Sequence, residues 1–313
     1  MRNQIVVGSR KSKLALIQTQ IVIAALQKYY PKTQFKIQYV TTEGDRNLQA
    51  SLTQIGGKGV FVKEIEQQLL DHQIDLAVHS LKDVLPVLPE QLTIGAYPQR
   101  DCPFDCLISR QPLSSIWDLP EHSIIGTSSS RRQSQLLHQR PDLQVVSIRG
   151  NLDSRLHKIA TDNLDGIIVA QAGLNRLQPR IQPYYVLNLE DVILPAVGQG
   201  CLAVECRQQD LKMRRMLQQI NDTRTELCVE IEREFLRELG GDCTFPIGGY
   251  ARVVNQELTF TGLIATNDGQ HLIQAETRTT APQPQIGRQL AQKLRQKDQY
   301  QIIQNANVDD AAL

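Results

Sequence analysis

A rhythm constrains this chain more than any single motif. Over the first two-thirds, short apolar runs alternate with stretches of helical periodicity. "QIVVG" (4–8) reads as a buried strand. "SKLALIQTQIVIAALQKYY" (12–30) reads as a helix, with Ser12 at its N-cap and Pro31 just past its end. "QFKIQYV" (34–40) alternates as a strand does. A helix over 59–73, a buried strand over 74–80 and a strand over 123–128 follow. Next come a helix over 130–139, a strand over 143–148, a helix over 152–160 and a strand over 166–170. Strands and helices in this order imply parallel sheets covered on both faces.

Two places interrupt the rhythm. "LPAVGQGCLAVECR" (194–207) offers a proline turn, a Gly198-Gln199-Gly200 hinge and then another strand. It reads as the chain crossing back to a parallel sheet begun much earlier. The first domain is then discontinuous, over 1–98 and 195–218, with a second domain, 99–194, inserted in it. From about residue 219 the style changes. Residues 222–239 form a strong helix pattern, with Thr223 and Glu226 as a capping box and Leu227, Ile231, Phe235 and Leu239 as its apolar stripe. "ELTFTGLIAT", "NDG" and "QHLIQAETRTT" read as a hairpin, and a last helix covers about 284–296. That makes 219–313 a smaller α+β domain. The polar segment 41–59 is long for a loop and reads as a lid or as a plain surface excursion.

Composition excludes several classes. In 313 residues no apolar run reaches the ~18–20 needed to span a bilayer. Met1-Arg-Asn-Gln runs straight into a strand, which points to the cytoplasm, or to an organelle lumen after trimming. Net charge is +1, so any anion site must be a local cluster of bases. Few aromatics are available for stacking bases, so no nucleic acid is expected. The six cysteines are Cys102, Cys106, Cys201, Cys206, Cys228 and Cys243, without a CxxC or a histidine cluster at zinc spacing. They read as free thiols, and no metal is expected.

The chemistry-bearing residues stand where strands end, which is where open α/β sheets bind ligands. Arg10 follows the first strand, Lys82 and Asp83 the one at 74–80, and Arg131 and Arg132 the one at 123–128. Arg149 follows 143–148, Arg155 lies on the next helix, and Arg176 follows 166–170. Such bases would converge on one crevice. In "GTSSSRRQS" a strand enters a hydroxyl-rich turn and then a helix, whose N-terminus suits carboxylate or phosphate. Asp83 is the acid in this basic ring. It could steady a developing cation, shuttle protons, or only pair with Lys82 or an arginine. His79 reads as a satisfied histidine. Cys243 sits in "LGGDCTFPIGGY", a glycine loop where a thiol is a nucleophile, a metal ligand or an attachment point. A two-lobed receptor for a small oxyanion would explain the arginines but would leave Cys243 without a task.

The motifs "GSRKSKLA", "GGKGVFVKEIE", "DLAVHSLKDV", "IGTSSSRRQSQL", "IRGNLDSRL", "AGLNRL", "LPAVGQGCLAVECR" and "GGDCTFPIGGYA", in this order, resemble the porphobilinogen deaminase family over essentially the whole chain. The resemblance implies a transferase of porphyrin and heme biosynthesis that joins four porphobilinogen molecules head to tail, losing ammonia, to give hydroxymethylbilane. It implies two doubly wound α/β lobes like a type II periplasmic binding protein plus the smaller domain, and a monomer. It implies a dipyrromethane cofactor held by a thioether on Cys243, and Asp83 as the catalytic acid. Ser80, Lys82, Asp83, Thr127, Ser128, Ser129, Arg131, Arg132, Arg149 and Gly150 are then expected at the cofactor. Arg10, Ser12, Phe61, Arg149, Arg155, Arg176 and Gln199 are expected at the substrate, and Lys58 on the lid. The chain departs from the family pattern at Asp242, beside the anchoring cysteine, at Lys13, and in the proline position of "KDVLPVLP".

Overall fold

The computed structural model describes residues 4–43, 59, 62–240 and 245–303. In chain order the elements are β1 (Gln4–Arg10), α1 (Lys13–Tyr29), β2 (Gln34–Val40), α2 (Lys63–Leu70), β3 (Leu76–Ser80), β4 (Leu92–Ala96) and β5 (Asp105–Ser109). Next are β6 (Ile124–Gly126), α3 (Ser130–Gln139), β7 (Gln144–Val146), α4 (Leu152–Thr161), β8 (Gly166–Ala170), α5 (Gln171–Leu177) and β9 (Tyr185–Asn188). The remainder are β10 (Leu202–Arg207), α6 (Leu211–Leu217), α7 (Thr223–Leu239), β11 (Ile247–Val254), β12 (Glu257–Ala265), β13 (Leu272–Thr279) and α8 (Gln285–Lys297). Contacts divide the chain into two compact units, Met1–Asp101 with Gly200–Glu230, and Cys102–Gln199 with Ile231–Leu313.

The first unit holds a five-stranded sheet in the order β2-β1-β3-β10-β4. Strands β1, β2 and β3 run parallel, and β10 is antiparallel to both β3 and β4. Alternate residues feed opposite faces, as a pleated strand requires. Val7, Leu76 and Val78 pack with Val22 and Leu26 of α1 and with Met213 and Leu217 of α6. Ala77 packs with Ile65 and Leu69 of α2. Helices therefore cover both faces, and each buried Leu or Ile contributes about 1.5–3 kcal/mol. Ser12 caps α1 by accepting from the Ala15 amide at 3.3 Å.

The second unit repeats this plan in the order β7-β6-β8-β5-β9, again with a parallel trio and one reversed strand, here β5. Ile167 and Val169 face Leu156 and Ile159 of α4. Ile168 and Leu107 face Leu136 of α3. The same unit holds an antiparallel sheet, β11-β12-β13. Phe235 of α7 meets Phe260 edge-on there, with ring centroids 5.3 Å apart. Helix α8 approaches α7 so closely that a Cβ on Gly287 would lie 2.0 Å from the Ile231 carbonyl oxygen, so only glycine fits.

Three details differ from the sequence reading. Strand β10 returns to the first sheet antiparallel, not parallel. All six of its residues are buried, so its pattern carries no information about direction. Strands β4, β5, β9 and β11 and helices α5 and α6 were not foreseen; β5 opens on a charged residue, Asp105, which hides it among loop signals, and β11 begins inside the stretch read as a glycine loop, with Gly248 and Gly249 in the strand. At α7 the cap is Asp222, whose carboxylate accepts from the Thr225 amide at 2.7 Å, while Glu226 accepts from the Asn221 side chain. An aspartate one residue earlier displaced the Thr223–Glu226 box.

Candidate functional site

In both open sheets the strand order reverses around the first strand, between β1 and β3 and between β6 and β8. Ligands bind beyond the carboxyl ends at such a switch point. In the first unit Arg10 ends β1 and Ser80 ends β3. Residues Leu81–Asp83 then form a single 3-10 turn, fixed by buried Leu81, whose amide donates to the Cys201 carbonyl at 3.0 Å. Lys82 and Asp83 are thereby carried half-buried on a braced turn. The Gln18 amide donates to Ser80 Oγ at 2.9 Å, which ties α1 to the end of β3. Arg10, Ser12, Gln18, His79, Ser80 and Asp83 line one cavity of about 70 Å³.

In the second unit Thr127 follows β6 and is buried. Its hydroxyl accepts from the Ser129 amide at 3.2 Å. Ser128 is exposed, donates to the Ile148 carbonyl and lies 3.0 Å from the Ser147 hydroxyl. Ser129 starts α3 with extended backbone, and its hydroxyl makes no capping bond. Arg131 and Arg132 are buried and converge on one carboxylate, Asp105. The ion-pair distances are 2.8 Å from Arg131 and 2.7 Å from Arg132. Arg131 also donates to the Leu194 carbonyl, and Arg132 to the Ile168 carbonyl. Gln199, fully buried, donates to Asp105 Oδ1 at 3.1 Å and to the Pro103 carbonyl. Burial pulls the Arg131 guanidinium down while Asp105 opposes the shift.

Arg149 and Arg155 differ from that pair, because neither has a carboxylate partner among the described residues. Arg155 Nε donates to the Gly150 carbonyl at 2.9 Å. Gly150 holds φ at +112°, a conformation glycine takes readily, and the chain turns there into α4, capped by Asn151. Burial, with the charges of Arg132 and Arg149, pulls Arg155 down to about 10. Arg155 thus feels two like charges, and neither it nor Arg149 is paired with a carboxylate among the described residues. Arg176 lies in the last turn of α5, half-buried. This donor set suits a ligand rich in carboxylates.

The remaining expectations divide simply. Lys58, Phe61 and Cys243 lie outside the described residues, as does most of the 41–59 segment. The five described cysteines are free thiols, and all but Cys102 are buried. Burial pushes the Cys106 and Cys206 thiols up to about 12, which makes them poor nucleophiles. The proposed hinge is pinned at one end, since Gly198 N–H donates to Glu232, a buried acid that also accepts from Ala251 N–H. Sequence reasoning overlooked Asp105, Glu205 and Glu66. The signal for the first two was an acid inside a run otherwise too apolar to face water, "DCLIS" and "LAVECR".

Among known proteins, the family model for the porphobilinogen deaminase dipyromethane cofactor binding domain matches residues 5–215, and that for the porphobilinogen deaminase C-terminal domain matches 226–296. A porphobilinogen deaminase of Limosilactobacillus reuteri is 57% identical over 304 residues, covering 97% of this chain and 99% of that one. One from Listeria monocytogenes is 47% identical over 308 residues, covering 97% and 98%. Solved structures with a likeness include the BvgS VFT2 domain of Bordetella pertussis, at TM-score 0.44 and 13% identity over 70% of this chain and 87% of that one. The aliphatic sulphonate binding protein SsuA of Escherichia coli has TM-score 0.40 and 14% identity over 76% and 70%. Matched in sequence from β1 to α8, this chain belongs to the porphobilinogen deaminase family, whose members build hydroxymethylbilane from four porphobilinogen molecules on a dipyrromethane cofactor.

Proposed function

We propose that the two units divide the labour of this condensation by charge. Arg149 and Arg155, with Arg131, Arg132, Arg176 and the Thr127–Ser129 hydroxyls, bind the acetate and propionate groups of cofactor and substrate. The observation that carries this reading is that Arg155 is buried near the like charges of Arg132 and Arg149, with no carboxylate partner among the described residues, so an incoming anion would stabilise it. Gly150 lets the backbone turn between Arg149 and α4, and Gln199 buttresses the arginines through Asp105. Cys243 is the anchor, as membership of the family implies, because a thiolate is the form that makes a thioether. The dipyrromethane supplies a tethered, carboxylate-bearing pyrrole from which the chain grows.

In the first unit Asp83 is the catalytic group. Its carboxylate stands beside the positive charge that develops on the pyrrole as the C–N bond breaks and ammonia leaves with the electron pair. A preorganised anion there stabilises the transition state more than the neutral ground state. Ser80, Lys82, Arg10 and Ser12 hold substrate and cofactor side chains around it, with Phe61 at the substrate and Lys58 on the lid, as the family resemblance implies. Tethering spares each coupling a bimolecular encounter. We also propose three domains, 1–98 with 195–218, 99–194 and 219–313, in a monomer in the cytoplasm. No helix among the described residues is long and apolar enough to cross a membrane.

Intact mass tests the anchor. The purified protein should weigh about 420 Da more than its sequence through one thioether, and Cys243→Ser should lose that increment. Asp83→Ala should lower kcat by about 100-fold or more with the cofactor still attached. Arg149→Leu should impair both cofactor loading and turnover. Full activity in Asp83→Ala, or an unshifted mass in active protein, refutes the corresponding assignment.

A further inference from the structure

The condensation as described leaves three buried titratable groups of the first unit unused. His79, on β3, is buried and lines the same cavity as Asp83. Its Nε2 lies 2.9 Å from Oε2 of Glu205 on β10. Glu205 is 0% exposed, and its Oε1 has no hydrogen-bond partner. Glu66, on α2, is also buried and close enough to feel both. Removing a carboxylate from water and leaving one oxygen unsatisfied costs stability, and an apolar residue of similar size would often do better. Folding therefore gives no reason for this arrangement.

We propose that the Glu205–His79 pair, together with Glu66, is a positioning network for the condensation: Glu205 fixes the imidazole in the cavity wall and offsets its charge, so that the wall does not oppose the positive charge held beside Asp83. The substrate's aminomethyl group arrives as an ammonium, and positive charge remains on the ring after ammonia departs. A fixed anion in a water-poor wall acts on that charge more strongly than one in solvent. The network touches no reacting atom and transfers no proton, and it rests on the assignment of Asp83 to the reacting site.

Its charge is graded by pH. Burial first, and the Glu205 charge second, raise Glu66 to about 7, while His79 and Lys63 oppose the rise. On its own helix Lys63 and Glu64 are the neighbouring charges, Arg10 and Asp83 share the cavity with His79, and Arg207 on β10 reaches the end of that helix. Arg207 is engaged by Asp75 and by the Leu69 and Ile74 carbonyls. The full negative charge of the network is therefore reached only above neutral pH, and turnover should climb as Glu66 ionises.

The test is kcat and KM for the holoenzyme across about pH 5.5–9 in wild type and four variants. Glu66→Gln should flatten the rising limb near pH 7. Glu205→Gln removes a charge that lifts Glu66, so the limb should move to lower pH, with the plateau kcat down about three- to tenfold and KM within about twofold. His79→Gln removes a charge that lowers Glu66, so the limb should move the opposite way. A merely structural role would reduce kcat or Tm without moving any limb, and three profiles that scale onto wild type overturn the proposal. Glu66→Gln carries the test alone if the deeper variants fail to fold. Asp83→Asn separates the two readings. If it is inactive while the network variants keep the wild-type profile, only the network is refuted. If it is fully active, the assignment of Asp83 is refuted.

Discussion

Each open sheet contains one reversed strand, and each reversed strand buries one acid, but the two acids are treated oppositely. Asp105 on β5 meets two guanidiniums and the Gln199 amide. Glu205 on β10 meets one imidazole, keeps an unsatisfied oxygen, and raises the pKa of a second carboxylate. Charge compensation in the second unit anchors the start of α3 to β5, while Arg149 and Arg155, before and on α4, have no carboxylate partner among the described residues. Incomplete compensation in the first unit leaves a buried carboxylate oxygen without a partner on the strand beside β3. The same strand plan therefore carries two different charge environments, and the choice of partner for one buried carboxylate separates them.

The largest effect should come from removing the compensated acid. Asp105→Asn leaves two buried guanidiniums facing each other, and denaturant unfolding should show a loss of about 3–5 kcal/mol. A loss under about 1 kcal/mol would mean that the arginines find other partners and that the contrast between the lobes is false. Glu66→Gln should act in the other direction. The folded state holds the Glu66 proton up to about pH 7, against 4.5 for the free side chain. That contribution is complete below 4.5 and is lost as pH rises through 7. The variant should thus be more stable than wild type by about 1–3 kcal/mol near pH 8 and equal to it near pH 4.5, as read by Tm across pH. Gln199→Leu should cost about 1–2 kcal/mol, because Asp105 keeps both arginines and loses one neutral donor. Arg278→Ala, which breaks the exposed pair with Glu276, should leave Tm essentially unchanged. A larger cost there would show that burial is not what sets the scale.

Much of the proposed site could be located in the fold from the chain because its residues lie next to strand ends, and strand ends are local features. Arg10, Ser80, Lys82, Asp83, Thr127 and Arg149 follow apolar runs that announce themselves. Legibility failed where a side chain's meaning depends on a distant partner. Arg131 and Arg132 read as ligands for an incoming anion, yet their first partner is Asp105, 27 residues from Arg132. His79 read as satisfied, and its partner is 126 residues away on a strand whose direction its sequence does not encode.

Most of the alternation of strands and helices in the first two-thirds, the cap at Ser12, the basic strand ends and the family motifs were determined by the sequence alone. Periodicity and capping depend on neighbours two to four positions apart, so a linear reading captures them. Only the tertiary structure decided that β5 and β10 run backwards, that one buried acid is neutralised and the other is not, and that Arg155 lies within reach of two like charges. Those outcomes depend on which segments meet across the sheet, where burial multiplies the strength of every unpaired charge.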